Sequence, residues 1–500
     1  MASRAHLLLF FLLLDLFRDN VTHAAVQPLW LGALLNPTNA DGTVAPQGSQ
    51  QLAAFMMAVR EINTKNDNVA DDLLPNFELK IQLKSAYGYL GAVTKSSEFN
   101  NYGSLAGGRK VLAVVGALDD EETMSAARML EANQTVHVVA ESRASELSKG
   151  RDFPYKVRVA ASESFCGMAM RTIIYGHFGY RRIAIFSTAD YFSSQSLHAL
   201  LADTVNMPFE VLIKQMVEPG WLDFSKEIDA VKATGAVVFV LLVDSDTAAA
   251  LLVQGRRRGL FAQGTIVFLH DYAIDQHMID IIHANSPNDD VDAILKGVYG
   301  FINDPAYSAR KNAEFMQRWR ANPSTKPSGG GCATATDDLT PGTPLYYASA
   351  HALDAQSNPA QYCAGFDFST FPADGSTLND FAPNVYDAVY AVARALHYLL
   401  EVKKVPYSGP TSGLTGGAIM DALINQTNFL GITNTVSFSD GDHVNGGVSV
   451  DRFGRGDREA GYTYNVLNYH SVDNGWVDVG RWDVEDDWQV CHFMLILACR

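Results

Sequence analysis

The stretch VLAVVGALDDEETMSAARMLEANQTVHVVA, residues 111–140, decides the fold class. Two short apolar runs, Val111–Val115 and Val136–Ala140, flank a segment in which apolar residues recur at helical spacing, Thr123–Asn133. A strand, a helix and a second strand in this order are typical of a βαβ unit with parallel strands. The stretch therefore predicts an α/β fold built around a parallel sheet.

The same alternation continues in both directions along the chain. A first series of strands and helices covers residues 29–140, and a second series covers residues 164–269. Each series predicts one doubly wound lobe. The extended runs Lys156–Ala160 and Gly297–Phe301 are candidate crossovers between the lobes, and Tyr386–Leu400 predicts a late helix. We therefore expect two doubly wound parallel-sheet lobes joined by several crossovers.

The length of the chain agrees with two lobes. Its 500 residues exceed the limit of about 250–300 residues at which a single core stops growing. We assign the ligand-binding region to residues 25–483, with lobe 1 at about 25–157 and 302–430, lobe 2 at about 158–301 and 431–483, and a C-terminal tail at 484–500.

The N-terminus predicts export from the cell. Arg4 precedes the apolar run Leu7–Leu14, and small residues up to Ala24 match a signal-peptidase site, so residues 1–24 are predicted to be a signal peptide. The alternative is a membrane anchor, but the apolar run is shorter than the roughly 20 residues that span a bilayer. We expect a secreted protein or one on the extracellular face of the plasma membrane.

Asparagine and cysteine residues predict modifications that are typical of an exported chain. Asn133 and Asn425 lie in sequons and predict N-glycosylation. Cys332 and Cys363 lie in a stretch rich in Gly, Pro, Ser and Thr, where a disulfide would stabilise a loop-rich segment; two free thiols are the alternative. Cys166, on a predicted apolar helix, is expected to be a buried free thiol.

Charge and motifs exclude several classes of function. A formal net charge of −17 without a basic stripe argues against nucleic acid as a partner. The metalloprotease, nucleophile-elbow and Cys-x-x-Cys patterns are absent, so we expect no catalytic site, metal or cofactor, with an exported hydrolase as the alternative. Gly103–Lys110, a near miss to a phosphate loop, and Asp440–Asp442, the start of a calcium-loop pattern, are interpreted as turns.

Three segments carry a family resemblance: AFMMAVREIN at residues 54–63, YDAVYA at 386–391 and WVDVGRWD at 476–483. With them the chain resembles the receptor-family ligand-binding region, which has the periplasmic-binding-protein type I, or Venus-flytrap, fold. It is most similar to the ectodomains of class C G-protein-coupled receptors, the metabotropic glutamate and GABA-B type. The resemblance implies an amino-acid-like ligand between the lobes, signalling by lobe closure, and a homo- or heterodimer through lobe 1.

The resemblance also implies a set of ligand-binding residues. Ser142 and Arg143 occupy the loop that holds the ligand carboxylate, Tyr191 is placed over the ligand, Asp271 faces its amino group, and Glu163 is a polar wall position. Four of these residues have an alternative role. Arg143 could face solvent, Tyr191 could pack in a loop, Asp271 could cap a helix, and Glu163 could be a solvated carboxylate.

Two departures from the family pattern limit the choice of ligand. Asp119 and Asp120 replace the usual small polar loop at a helix start, where they are expected to cap the helix. Phe381 stands where the GABA-binding acid is expected, so GABA itself is not predicted.

The function expected from the sequence is the extracellular ligand-binding domain of a cell-surface receptor, which signals through a membrane part encoded downstream. A free secreted small-molecule binding protein is one alternative, favoured by the ending at Arg500 without a membrane span. The ectodomain of a receptor guanylate cyclase is another, because these receptors share the fold.

Overall fold

A computed structural model describes most of the chain. The described residues are 27–37, 39–41, 45–99, 111–202, 204–220, 223–274, 276–285, 290–303, 306–321, 378–379, 381–407, 413–441, 444–445, 448–449, 455–459, 461, 463–471, 475–483 and 487–490. The predicted signal peptide, the predicted Cys332–Cys363 disulfide and the turn at 103–110 lie outside them. Among the described helices, none is both long and apolar enough to cross a membrane.

Five parallel strands form the first sheet, in the order β2-β1-β3-β4-β5. The strands and the three helices between them are β1 Gln27–Leu35, α1 Pro46–Asn63, β2 Phe77–Lys84, α2 Gly88–Glu98, β3 Val111–Ala117, α3 Asp120–Glu131, β4 Val136–Val139 and β5 Lys156–Arg158. The chain leaves β1 toward one edge of the sheet and continues from β3 toward the other. The crevice at such a reversal is where doubly wound sheets bind ligands.

The second sheet repeats this order. Its parallel part reads β7-β6-β8-β9-β10, which is the first arrangement again. The elements are α4 Ser164–Arg171 with a π-helical turn to His177, β6 Arg182–Ser187, α5 Tyr191–Leu201, β7 Glu210–Met216, α6 Ser225–Lys232, β8 Val238–Leu242, α7 Ser245–Arg257, β9 Ile266–Leu269, α8 Gln276–Asn285, α9 Val291–Leu295 and β10 Val298–Asn303. Two doubly wound sheets are therefore confirmed.

The chain then returns to the first core. The returning elements are α10 Ala306–Lys311, α11 Ala313–Ala321, α12 Ala382–His397 with a π-helical turn to Val402, α13 Gly416–Gln426, and the hairpins β11 Asn428–Gly431 with β12 Asn434–Ser437 and β13 Val444–Asn445 with β14 Val448–Ser449. Phe315, Phe429 and Val436 are buried in the same core as the strands of the first sheet. The hairpin β11–β12 thus packs with the first lobe.

The last strands extend the second sheet in the antiparallel sense. They are β15 Thr463–Ser471, β16 Gly475–Asp483 and β17 Asp487–Val490, with β15 beside β10. The chain therefore passes between the sheets after β5, after β10 and before β15. Along the described residues, these three passages join the two lobes.

Two of the segments that carry the family resemblance have packing roles. Glu61 on α1 accepts hydrogen bonds from Tyr386 and Tyr390 on α12 and pairs with Arg318 on α11 at 2.9 Å. Asp387 accepts from the backbone N–H groups of residues 432 and 433, at 3.0 and 2.9 Å. These polar contacts join the late helix to the first lobe and fix the β11–β12 hairpin.

Aspartates start the helices that follow three strands. Asp119, Asp190 and Asp244 each accept a backbone hydrogen bond from the residue three positions later, at the starts of α3, α5 and α7. An N-cap of this kind stabilises a helix by about 1 kcal/mol. The caps also fix short loops at the carboxyl ends of the strands, where the candidate site lies.

Candidate ligand site between the two sheets

Three of the residues predicted to bind the ligand meet between the sheets. Arg143 lies in the loop after β4 of the first lobe, Glu163 immediately precedes α4 of the second lobe, and Asp271 follows β9. Arg143 Nη1 lies 2.7 Å from Asp271 Oδ2, and its Nη2 lies 3.2 Å from Glu163 Oε2. One first-lobe guanidinium therefore pairs with two second-lobe carboxylates.

A histidine completes this group of charges. His270 Nε2 lies 2.6 Å from Glu163 Oε1, and His270 Nδ1 lies 2.6 Å from Asp271 Oδ1. We call Arg143, Glu163, His270 and Asp271 the inter-sheet cluster. Glu163 and His270 are buried, so the solvated carboxylate considered for Glu163 is wrong. Arg143 is only 8% exposed, so its guanidinium does not face bulk solvent.

Burial and charge act in opposite directions on the cluster. Burial lowers the pKa of His270, but electrostatic interactions, those with the carboxylates of Asp271 and Glu163 among them, raise it by more, to well above its usual value. Burial raises the pKa of Asp271, yet the charges of Arg143 and His270 hold that pKa well below its usual value. Arg143 and His270 therefore both lie against the side chains of Asp271 and Glu163.

Hydroxyl groups and aromatic rings surround these charges. Arg143 Nη2 donates to the Tyr464 hydroxyl at 3.1 Å, and its guanidinium carbon lies 5.5 Å from the centre of the Tyr272 ring. Ser196 Oγ lies 2.8 Å from His270 Nε2 and 2.9 Å from Glu163 Oε1. These groups come from β15, α5 and the loop after β9. The second lobe therefore supplies most of the surroundings of Arg143.

The side chain of Ser142 is hydrogen-bonded to a residue of its own lobe. Its hydroxyl donates to Asp120 Oδ1 at 2.6 Å, and the backbone N–H groups of Arg143 and Ala144 donate to the same oxygen at 3.0 and 3.2 Å. Asp119 caps α3 as expected, whereas the expectation that Asp120 also caps this helix is wrong. The side chain of Asp120 instead closes the 142–144 loop, because three donors converge on one carboxylate oxygen.

The other predicted positions are placed as follows. Tyr191 is the first residue of α5, next to the capping Asp190, and its side chain lies outside the described residues. Asn133 and Asn425 are exposed, and their glycosylation stays a prediction. Cys166 is a buried free thiol as predicted, and burial raises its pKa to about 11.

One group of side chains in this region has the donor types that bind metals. Single atoms of Glu163, Cys166, His270 and Asp271 lie within 4.8 Å of one another. The Arg143 guanidinium already pairs with two of these residues, and His270 carries a positive charge. Two neighbouring positive charges oppose a cation there, and Glu163, His270 and Asp271 are already engaged in ion pairs.

A second buried charge group lies at the crossover after β5. Asp457 pairs with Lys156 Nζ at 2.7 Å and with Arg158 Nη2 at 2.8 Å. We call these three residues the crossover cluster; all three are buried. Burial lowers the pKa of Lys156 to about 8, and Asp457 opposes this shift. The crossover cluster fixes β5 to the returning chain.

A scan against protein families matches residues 50–450 to the receptor family ligand binding region. The chain belongs to this family. Among solved structures it is similar to a protein assigned as a branched-chain amino acid ABC transporter from Rhodospirillum rubrum, with a TM-score of 0.54 and 16% sequence identity. The alignment covers 90% of this chain and 100% of that chain, and at this identity it shows the shared fold. A search of the curated proteins finds no match.

The contacts that several residues make around the candidate site were not predicted from the sequence. His270 precedes Asp271 directly after a strand, a position where a titratable side chain could have been singled out. Tyr464 and Asp120 lie 321 and 23 positions from Arg143 in the sequence, and nothing local connects them with it. Their proximity follows from the addition of β15 beside β10 and from the turn before α3.

Proposed function

We propose that the chain is the extracellular ligand-binding domain of a cell-surface receptor and that it binds an amino-acid-like small molecule between its lobes. The observation that carries this proposal is the Arg143–Asp271 ion pair, which joins loops at the carboxyl ends of both sheets at 2.7 Å. Ligands of doubly wound sheets gather at these ends. The pair presents one positive and one negative group to a molecule that enters there.

A zwitterion could replace this ion pair without leaving a charge uncompensated. Its carboxylate would take the place of Asp271 against the Arg143 guanidinium, and its ammonium would take the place of Arg143 against Asp271. Removing only one partner of a buried pair is strongly destabilising, so an exchange that satisfies both is favoured. The Ser142 loop is a weaker candidate for the ligand carboxylate, because Asp120 already accepts its donors.

Signalling by lobe closure would follow from the same contacts. Arg143 belongs to the first lobe, whereas Asp271 and Glu163 belong to the second, so a ligand held by both sides bridges the lobes. A ligand shifts an equilibrium between open and closed states only through contacts that differ between them. Such bridging contacts would exist only in the closed state.

The test begins with a thermal-shift screen of amino acids and related amines, followed by calorimetry with the ligand found. Asp271→Asn removes the charge and keeps the shape, and we expect it to weaken binding about 10- to 150-fold, the loss of one hydrogen bond to a charged group. The matched control is Asp229→Asn, which removes the same charge from an exposed pair with Arg258. Binding by Asp271→Asn with wild-type affinity and an unchanged circular dichroism spectrum would refute the site.

A secreted binding protein is the second candidate, supported by the likeness in fold to a transporter protein. The two candidates differ in what the gene encodes after the ligand-binding region. A transcript that continues into membrane-spanning segments supports a receptor, and a stop codon after this region supports a free binding protein.

A further inference from the structure

A hydrogen bond outside the inter-sheet cluster also joins the two lobes. Ser145 begins a short 3-10 helix in the first lobe, two residues after Arg143. Its hydroxyl donates to Oε1 of Gln195, which lies on α5 of the second lobe. We call this hydrogen bond the 145–195 contact. Ser196, the residue after Gln195, binds the inter-sheet cluster, so the 145–195 contact adjoins that cluster without belonging to it.

The first lobe holds Ser145 from both sides. Immediately before it, the backbone N–H of Ala144 donates to Asp120 Oδ1 at 3.2 Å, and the carbonyl oxygen of Ala144 accepts from Arg158 Nη1 at 2.6 Å. Three residues after it, the Ser148 hydroxyl accepts from Arg158 Nη2 at 2.6 Å. Because Arg158 belongs to the crossover cluster, Ser145 is attached to the start of α3 and to the crossover after β5.

The second lobe holds Gln195 in a similar way. Helix α5 is capped by Asp190, which accepts from the backbone N–H of Ser193 at 2.8 Å. One residue after Gln195, the Ser196 hydroxyl donates to Glu163 Oε1 at 2.9 Å, and both of these side chains are buried. Each end of the 145–195 contact is thus fixed within its own lobe. A separation of the lobes would break it.

We infer that Gln195 is a positioning residue for ligand binding, because through Ser145 it holds the Arg143 loop against the second lobe. The inference rests on the proposed function in placing the ligand between the lobes. A ligand that replaces the Arg143–Asp271 ion pair leaves the 145–195 contact in place, since neither Ser145 nor Gln195 takes part in that pair. The contact therefore stabilises the closed state whether or not the ligand is bound.

One backbone hydrogen bond reports the separation of the lobes. Glu163 N of the second lobe donates to Arg143 O of the first lobe at 2.9 Å. An amide hydrogen exchanges with solvent when its hydrogen bond opens, so the exchange rate at Glu163 measures how often the lobes separate. Ala140 N donates to Gly116 O at 2.9 Å within the first sheet. Its exchange does not require the lobes to separate, and it serves as the internal reference.

The experiment is residue-resolved hydrogen exchange on the ligand-free full chain. In Gln195→Ala we expect exchange at Glu163 to be about 2- to 10-fold faster, the effect of one neutral hydrogen bond, with exchange at Ala140 unchanged. Gln195→Met keeps the length of the side chain without an acceptor and should behave like Gln195→Ala. Gln195→Glu keeps an acceptor oxygen and should exchange like wild type.

Two further variants make the result specific. Gln215→Ala removes a glutamine side chain that donates to Met216 O of its own strand at 2.9 Å, and it should leave exchange at Glu163 unchanged. Ser145→Ala should reproduce the effect of Gln195→Ala. The double variant should add nothing to either single one, because both substitutions remove the same hydrogen bond.

Ligand kinetics test the same contact in the bound state. With a ligand from the thermal-shift screen, Gln195→Ala should release the ligand about 2- to 10-fold faster than wild type, because release requires the lobes to separate. The association rate should change less, since most effects of this kind appear in dissociation. Gln195→Glu should restore the wild-type dissociation rate.

Wild-type exchange at Glu163 in a folded Gln195→Ala variant overturns the inference, and so does an equal acceleration at Glu163 and Ala140. The proposed function fails independently of it. Faster exchange at Glu163 without binding of any amino-acid-like molecule keeps the 145–195 contact and refutes the proposed ligand class. Ligand binding with an unchanged dissociation rate in Gln195→Ala keeps the proposed function and refutes the role of Gln195.

Discussion

The inter-sheet cluster and the crossover cluster are both groups of buried ionic side chains, but they are held in different ways. Arg158 of the crossover cluster is joined to the returning chain through the backbone, with Arg158 N donating to Gly456 O at 2.7 Å and Arg458 N donating to Arg158 O at 3.1 Å. The inter-sheet cluster spans the lobes mainly through side chains, with one backbone bond from Glu163 N to Arg143 O at 2.9 Å.

The two clusters therefore differ in the hydrogen bonds that their separation would break. Separating the crossover cluster would break backbone hydrogen bonds and leave buried peptide groups without partners. Separating the inter-sheet cluster would break one backbone hydrogen bond, from Glu163 N to Arg143 O. Otherwise it would require the side chains of Arg143, Glu163 and Asp271 to exchange one another for water or for a ligand. The two clusters thus have similar burial and charge. The contacts of the crossover cluster are those of a structural connection, whereas those of the inter-sheet cluster fit a reversible contact.

Each region also contains a buried histidine. The pKa values of the two histidines are shifted in opposite directions. The carboxylates around His270 outweigh burial and raise its pKa, so its contribution to stability is full below about pH 6.5 and is lost as the pH rises through the raised pKa. Burial, with a smaller effect of Lys156, lowers the pKa of His137 to about 4. Neither ring nitrogen of His137 has a hydrogen-bond partner among the described residues.

The largest expected effect belongs to the crossover cluster. Asp457→Ala leaves the cations of Lys156 and Arg158 without their shared counter-charge, so we expect the free energy of unfolding to fall by about 3–5 kcal/mol. Urea unfolding measures this change. Asp421→Ala, which removes a carboxylate from an exposed pair with Arg455, should change the value by less than about 1 kcal/mol. Equal effects of the two substitutions would contradict a structural role.

Removal of one partner from the inter-sheet cluster should lower the free energy of unfolding less than removal of one partner from the crossover cluster. Arg143→Ala leaves Glu163 and Asp271 with His270 as a remaining partner. We therefore expect a loss of about 1–3 kcal/mol in the same urea experiment. A loss as large as that of Asp457→Ala would remove the distinction between the two clusters.

A third expected effect is a dependence of the free energy of unfolding on pH. Between about pH 6.5 and pH 4 the unfolded chain binds a proton at His137 that the folded chain does not, so stability falls as the pH falls through this window. The slope approaches about 1.4 kcal/mol per pH unit at most. In His137→Leu this part of the slope should disappear. Parallel stability curves for the variant and wild type from pH 7 to pH 4.5 would contradict the assignment.

The sequence predicted the order of elements because each βαβ unit has a local signal. Apolar runs mark β3 and β4, and Asp119 marks the start of α3. The positions of Arg143, Glu163 and Asp271 followed from the family resemblance, and the structure brings these three together. Their binding roles stay predictions.

What the sequence could not predict depends on contacts between distant segments. Tyr464 reaches Arg143 only because β15 pairs with β10 in a register that no local pattern specifies. Asp120 was interpreted as a cap because a helix start with two aspartates fits that role equally well. Its true partners lie in the next loop along the sheet. Sequence patterns identify elements, and the neighbours of a polar side chain depend on how those elements pack.

The most direct test of a ligand site between the lobes is a crystal structure of the protein with a ligand from the thermal-shift screen. We expect ligand atoms within hydrogen-bond distance of Asp271 and a longer separation between Arg143 and Asp271 than the present 2.7 Å. A ligand bound elsewhere, with the Arg143–Asp271 ion pair unchanged, would contradict the proposed site.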